Sequence, residues 1–191
     1  MTTEQLLEWG KNVGEESRKS FTDKLVSGFF TKYMGGNGLD VGGRGYIGAH
    51  EILPTATLVE LGMAGYDGVT LPFEDNSQDY VYNSHTLEHI PDYKNAIREW
   101  HRVVRQGSYV ITVVPHRDLY EKKLELPSKW NGDHRRFYTA SSLLKEIEDS
   151  LPINSYRIRH LRENDKGHVY TDGPEKHGAW EYEIECVMEK L

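Results

Sequence analysis

A single cysteine, Cys186, has no partner for an internal disulfide, so the chain is expected in a reducing compartment, the cytoplasm. No apolar run approaches the roughly 18 residues that a membrane span needs. The first eight residues lack a basic stretch followed by an apolar core, so no signal peptide is expected either. Basic charge is also in short supply. Lys and Arg number 23 against 30 Asp and Glu, a net −7, and phosphate-backbone binding needs a basic face. The runs at 102–105 and 122–123 are too short to reverse that balance. Nucleic acid is therefore not an expected partner, and a small or neutral molecule is the better expectation. What the chain does have is length and apolar content enough for one real core: 191 residues, 37% of them hydrophobic. It has no internal repeat, low-complexity segment or dividing linker.

Residues 1–36 read as a helical cover and 37–191 as an α/β unit, the whole forming one structural domain. Phe21, Leu25, Phe29 and Tyr33 recur every four residues as one apolar stripe, ended by Gly35-Gly36. The cover is expected on the sheet edge. Short apolar strands follow at 38–41, 57–61 and 79–82, with room for only two helical turns at 46–53 before Pro54. Pro91 and Asp92 open a helix bearing Ala96, Ile97, Trp100, Val103 and Val104, which Gly107 is expected to end. Residues 108–114 are β-branched and apolar, a central strand. Thr139 caps a further helix with Leu143, Leu144 and Ile147. Residues 155–161 form a strand, and Trp180, Tyr182, Ile184, Cys186 and Met188 alternate with polar residues as a last one. Strands alternating with helices imply a parallel sheet covered on both faces. The last two strands lack an intervening helix and can form an antiparallel hairpin.

In such sheets, ligands bind beyond the carboxyl ends of the strands, where strand order reverses. The first strand ends there in Asp40-Val41-Gly42-Gly43-Arg44-Gly45, where glycines allow close backbone approach. The second ends in Glu60, a carboxylate able to accept two hydrogen bonds from a ribose diol. Downstream lie Asp67-Gly68-Val69, then Leu71-Pro72-Phe73-Glu74-Asp75-Asn76-Ser77-Gln78-Asp79, then Ser84-His85-Thr86-Leu87-Glu88-His89.

In this order, those motifs resemble the class I S-adenosylmethionine-dependent methyltransferases, in particular a small-molecule branch with LPF and H-x-LEH motifs. The resemblance runs from about residue 38 to the end. It implies a compact Rossmann-like fold: a seven-stranded sheet, mostly parallel with an antiparallel last strand, and here with N-terminal helices. It implies S-adenosyl-L-methionine as cofactor. Asp40, Gly42 and Gly43 would belong to the first cofactor motif, Glu60 would hold the ribose hydroxyls, and Asp67 and Gly68 would lie beside adenine. Ser84 and His85 would line the methionine end. Two departures stand out: Arg44 replaces the middle glycine of the first motif, and the stretch from Glu60 to Asp67 is short.

The sulfonium is an activated donor, so a protein mainly aligns the attack. An oxygen acceptor, such as a hydroxyl of a sugar-like metabolite, gains from a base, and histidine suits that task near neutral pH. The candidates are His134, His116 and His85. The first two lie in the segment 116–138, which also carries Tyr120, Trp130, Arg135, Arg136 and Tyr138 and is where acceptor specificity is expected. His89 is assigned to capping or packing. His85, Glu88 and His89 have metal-ligand spacing, but their loop-to-helix placement argues against a metal, and none is expected. Two rival readings stand: an NAD(P)-dependent oxidoreductase, because Gly43-Arg44-Gly45-Tyr46-Ile47-Gly48 matches the dinucleotide string, and a non-catalytic nucleotide-binding module. A homodimer is left open.

Overall fold

The computed structural model describes residues 1–43 and 48–191. The expectations attached to Arg44, and the interior of the string that begins at Gly43, fall outside the described residues.

Six strands form one sheet in the order β2-β1-β3-β4-β6-β5. They are β1 (Gly38–Val41), β2 (Ala56–Val59), β3 (Gln78–Ser84), β4 (Val104–Pro115), β5 (Tyr156–Asn164) and β6 (Glu183–Lys190). β1 to β4 run parallel, β6 lies antiparallel to β4, and β5 pairs antiparallel with β6, as the helix-free connection predicts. The expected count of seven strands is corrected to six among the described residues. The missing ladder would follow β2, in residues 60–77, and the backbone there is engaged otherwise. The amides of Val69 and Thr70 donate to the Asp67 carboxylate at 2.9 and 2.7 Å, and that of Leu71 donates to Glu99 at 3.0 Å. Donors spent on side chains cannot build a ladder on β2.

The period-2 alternation of the strands separates two cores. On one face Leu39, Val41, Val81, Val110, Val114, Ile184, Cys186 and Met188 meet α4 (Tyr93–Val103) and α5 (Ala140–Ser150). Trp100 and Leu143 are fully buried there. On the other face Tyr80, Tyr82, Ile111, Val113 and Val187 meet α1 (Thr3–Gly10), α2 (Glu15–Val26) and α3 (Phe29–Tyr33). The N-terminal helices therefore cover a face of the sheet, not its edge. The four-residue stripe breaks at Gly28, whose φ of 77° turns α2 into α3, and the Phe21 and Phe30 rings close over the break at 5.0 Å. Gly10, which weakens α1 as a helix, is needed for packing: a Cβ there would stand 2.2 Å from the Phe21 ring.

Local signals set most boundaries. The Asp92 carboxylate caps α4, and Thr139 with Ser142 forms a reciprocal capping box on α5. Gly107 does not end α4. The helix passes straight into β4 at Val104, and Gly107, at φ 77°, sits inside β4 where its register against β3 shifts. No helix forms in the described residues 48–55. No helix among the described residues is long and apolar enough to cross a membrane.

Candidate functional site

The carboxyl ends of β1, β2 and β3 meet at one cleft of about 340 Å³, within the usual range for a small-molecule site. Gly42 forms its base. Its φ of 72° is left-handed, and a Cβ there would lie 2.4 Å from Thr86 Oγ1. The Thr86 hydroxyl in turn donates to the Val41 carbonyl at 3.1 Å, tying the β1 turn to the end of β3. Glu60 and Leu61 follow β2 along one wall; Tyr66, Asp67, Gly68 and Val69 continue it. His85, Thr86, His89, Ile90 and Pro91 form the opposite side. Apolar surface from Leu61, Val69 and Ile90 suits a flat ring, and Glu60 offers the polar contact.

Of the eight residues expected around a cofactor, Gly42, Glu60, Asp67, Gly68 and His85 line this cleft. Asp67 is less available than its position implies. It is exposed, and its carboxylate accepts from the amides of Val69 and Thr70 and the Thr70 hydroxyl, so it shapes its own loop and its pKa is held below the ordinary carboxylate value. Asp40 and Gly43 stand behind the turn. A Cβ on Gly43 would lie 2.2 Å from the Asp40 carboxyl, so glycine is required there. Asp40 is buried. One oxygen accepts from the Ile52 amide at 2.7 Å and the other is buried with no partner among the described residues. Burial, reinforced by the charges of Glu60 and Glu51, pushes its pKa up to about 7 against the pull of the Ile52 hydrogen bond. Ser84 is buried at the end of β3 and does not line the cleft.

His85 holds the cleft's end nearest the N-terminal helices. Its φ of 51° is unusual for a residue with a side chain and aims the ring into a ring of carboxylates. Nδ1 lies 3.7 Å from Glu16 and 3.8 Å from Glu88, and Nε2 lies 3.7 Å from Glu183. These are ion-pair separations rather than hydrogen bonds. Burial opposes a charge on His85, but Glu183, Glu16 and Glu88 together outweigh it and raise its pKa above the ordinary 6.5. Behind it, Lys24 of α2 is fully buried and lies 3.0 Å from both Glu183 and Glu185. Against its burial, Lys24 and His85 hold Glu183 down to about 2. Tyr182 donates to Glu16 at 2.7 Å and receives Lys19.

The segment after β4 is docked onto this site. A π-helical turn at Arg117–Glu121 follows His116, and a short 3-10 turn at Leu87–His89 follows β3. The Arg135 amide donates to the Glu88 carbonyl at 2.8 Å, and the Arg136 guanidinium donates to the carbonyls of Leu87 and Ile90 at 2.8 and 2.6 Å. That clamp brings His134 in, with its Nδ1 2.5 Å from Glu121 Oε1 and its Nε2 4.0 Å from Glu88 Oε1. His116 is not brought to the cleft. It accepts from the Asp118 amide through Nδ1, pairs with Glu163 at 3.2 Å, and serves as the N-cap of the π turn. His89, read from sequence as a capping or packing residue, does line the cleft. Glu16, Lys24, Tyr182 and Glu183 were missed. The available signal was the acidic alternation Glu181, Glu183, Glu185 in a strand otherwise apolar, which a strand covered on both faces has to neutralise internally.

The sequence profile of a family described as "Methyltransferase domain" matches residues 49–112. Over 57 residues the chain is 42% identical to a demethylmenaquinone methyltransferase of Staphylococcus epidermidis and 40% to its Staphylococcus aureus counterparts. That stretch is 30% of this chain and 24% of those proteins, so the chain matches about a quarter of their length. A structure of a SAM-dependent methyltransferase from Aquifex aeolicus superimposes with a TM-score of 0.57 over 100% of both chains at 12% identity. A SAM-dependent methyltransferase from Thermotoga maritima does so with 0.56 over 98% of this chain and 94% of that one, at 13% identity. At such identities the likeness is one of fold.

Proposed function

We propose that this chain, a class I S-adenosylmethionine-dependent methyltransferase in its fold and in the sequence of its central third, transfers a methyl group to an oxygen of a small hydroxylated acceptor. The observation that carries the reading is the convergence of Gly42, Glu60, Gly68 and His85, from separate strand ends, on one cleft. The residues present fit the cofactor. Gly42 puts no side chain into the base of the cleft, Glu60 stands where a ribose diol can donate to it, and Gly68 and Val69 leave a flat apolar wall. When bound, S-adenosyl-L-methionine supplies a methyl group already activated by its sulfonium. The names of the sequence relatives support a small-molecule acceptor.

The chain's own residues bind, exclude water and manage a proton. His85 lines the cleft and is the histidine best placed to take the proton of an acceptor hydroxyl, with Glu16 and Glu183 beside it to stabilise the imidazolium that forms. Calorimetry with S-adenosylhomocysteine and with NAD tests the reading. S-adenosylhomocysteine should bind with micromolar affinity, NAD should not, and Glu60→Ala should weaken the binding about 10-fold or more, the cost of hydrogen bonds to a charged acceptor. Binding of NAD alone would favour the oxidoreductase. Binding of S-adenosylhomocysteine without turnover on any hydroxylated acceptor would favour a non-catalytic module.

A further inference from the structure

We propose that Glu88, His89 and His134 form a binding site for one divalent transition-metal cation of the zinc type, with Glu121 supporting His134 from behind. The first observation is Glu88 itself. Its side chain is 0% exposed, and neither carboxylate oxygen has a hydrogen-bond partner among the described residues. An ionised carboxylate left this way is costly, and such groups are met by a cation or a metal. The nitrogens around it stand too far off for hydrogen bonds: His85 Nδ1 and His89 Nε2 at 3.8 Å and His134 Nε2 at 4.0 Å from the same oxygen, Oε1.

Those distances fit a metal between them. The three donor atoms lie within 4.8 Å of one another. Tetrahedral coordination with bonds of about 2.0–2.1 Å puts donors about 3.4 Å apart, so each needs to close by less than about 1.5 Å. His134 is already prepared. With Nδ1 held by Glu121 at 2.5 Å, its Nε2 is left with a lone pair on the side of Glu88 and His89. A carboxylate behind a ligating imidazole is the usual way a metal site fixes ring orientation and tautomer. Two imidazoles and one carboxylate select zinc, cobalt, nickel or iron(II) over magnesium or calcium, which take oxygen donors.

The sequence alone conceals the site, because His134 arrives from 45 residues away. Arg135 and Arg136 bring it in by clamping the loop to the 3-10 turn that carries Glu88 and His89. His89 also lines the cleft, so the cation stands at the cleft wall. If the methyl-transfer reading holds, an acceptor oxygen can take a remaining coordination position; the metal site itself does not depend on that reading.

The test is metal binding by the chelator-stripped full chain, without cofactor or acceptor. Cobalt(II) serves as the spectroscopic probe and zinc(II) as the calorimetric one. The expected result is one ion per chain, with cobalt visible bands of low coordination number. Glu88→Gln and His89→Ala should each lower zinc affinity at least about 100-fold, and Glu121→Gln about 10- to 100-fold. His168→Ala, outside the cluster, should leave it unchanged. His89 is one-third exposed, so its removal spares the core, and metal-free melting curves verify each variant's fold. In that state Glu88→Gln should keep a cooperative melt, because the replacement is isosteric and removes no hydrogen bond. No stoichiometric binding by the wild-type chain, or binding that survives both Glu88→Gln and His89→Ala, overturns the proposal.

Discussion

Asp40→Asn should reverse its effect on stability between acidic and alkaline pH. In the folded chain the Asp40 pKa is about 7, against an ordinary 3.8. Between those values the unfolded chain has released its proton and the folded chain has kept it. The folded state then binds more protons, so stability falls as pH rises, by about 1.4 kcal/mol per unit over about three units, or roughly 4 kcal/mol in all. Below 3.8 and above 7 Asp40 contributes no slope. Asparagine keeps an oxygen to accept from the Ile52 amide but turns an amide nitrogen toward the side that offers no partner among the described residues, a pH-independent cost of about 1–3 kcal/mol. The variant should therefore be less stable than wild type by about 1–3 kcal/mol at pH 4 and more stable by a similar amount at pH 8. Urea titrations followed by circular dichroism at half-unit steps measure the difference, and every other titrating group cancels from it. A constant offset across that range would refute the argument, since it would mean that Asp40 is ionised in the fold as it is in water. Saturating S-adenosylhomocysteine adds a second reading: if its ammonium approaches Asp40, the wild-type slope should flatten.

Lys24→Met leaves Glu183 and Glu185 buried without their cation, and breaking a buried pair in this way costs about 3–5 kcal/mol. Glu183 is held near 2 against an ordinary 4.5, so its contribution is present above 4.5 and is lost as pH falls toward 2. The variant's deficit should thus be largest at neutral pH and shrink toward pH 3, as denaturant midpoints across that window would reveal; a deficit that grows on acidification contradicts the pairing. In the proposed methyl transfer His85, with its pKa raised above 6.5, should set the pH dependence of turnover. As a base it works only when neutral, so the initial rate of S-adenosylhomocysteine release should climb with pH to a plateau, with its midpoint above 6.5. His85→Asn should abolish that limb and lower the rate about 10²- to 10⁴-fold. A midpoint below 6.5 rules His85 out.

The parts of the fold legible in the sequence were those fixed by local chemistry. The capping residues Asp92 and Thr139, the β-branched run of β4 and the helix-free connection before β6 each carry their signal within a few residues. The seventh strand failed because an expectation carried over from related chains ignored Asp67, whose side chain takes the amides a ladder would need. The cleft was legible for the same reason as the fold: Gly42, Glu60, Gly68 and His85 lie at strand ends, and strand ends are local.

The chemistry around the cleft is not local, and spacing alone does not read it. His85, Glu88 and His89 have the spacing of a metal set, yet His85 Nδ1 faces Glu16 as well, and its place among possible ligands is taken by His134. His116 and His134 share one loop and looked equivalent. Tertiary contacts separate them. Asp118 and Glu163 occupy the His116 ring, whereas Glu121 holds only one nitrogen of His134 and leaves the other toward Glu88. The backbone and guanidinium hydrogen bonds of Arg135 and Arg136 decide that difference, and neither arginine touches the cleft. The placement of these histidines thus depends on docking residues outside the cleft, which is why an inventory of histidines alone does not distinguish His134 from His116.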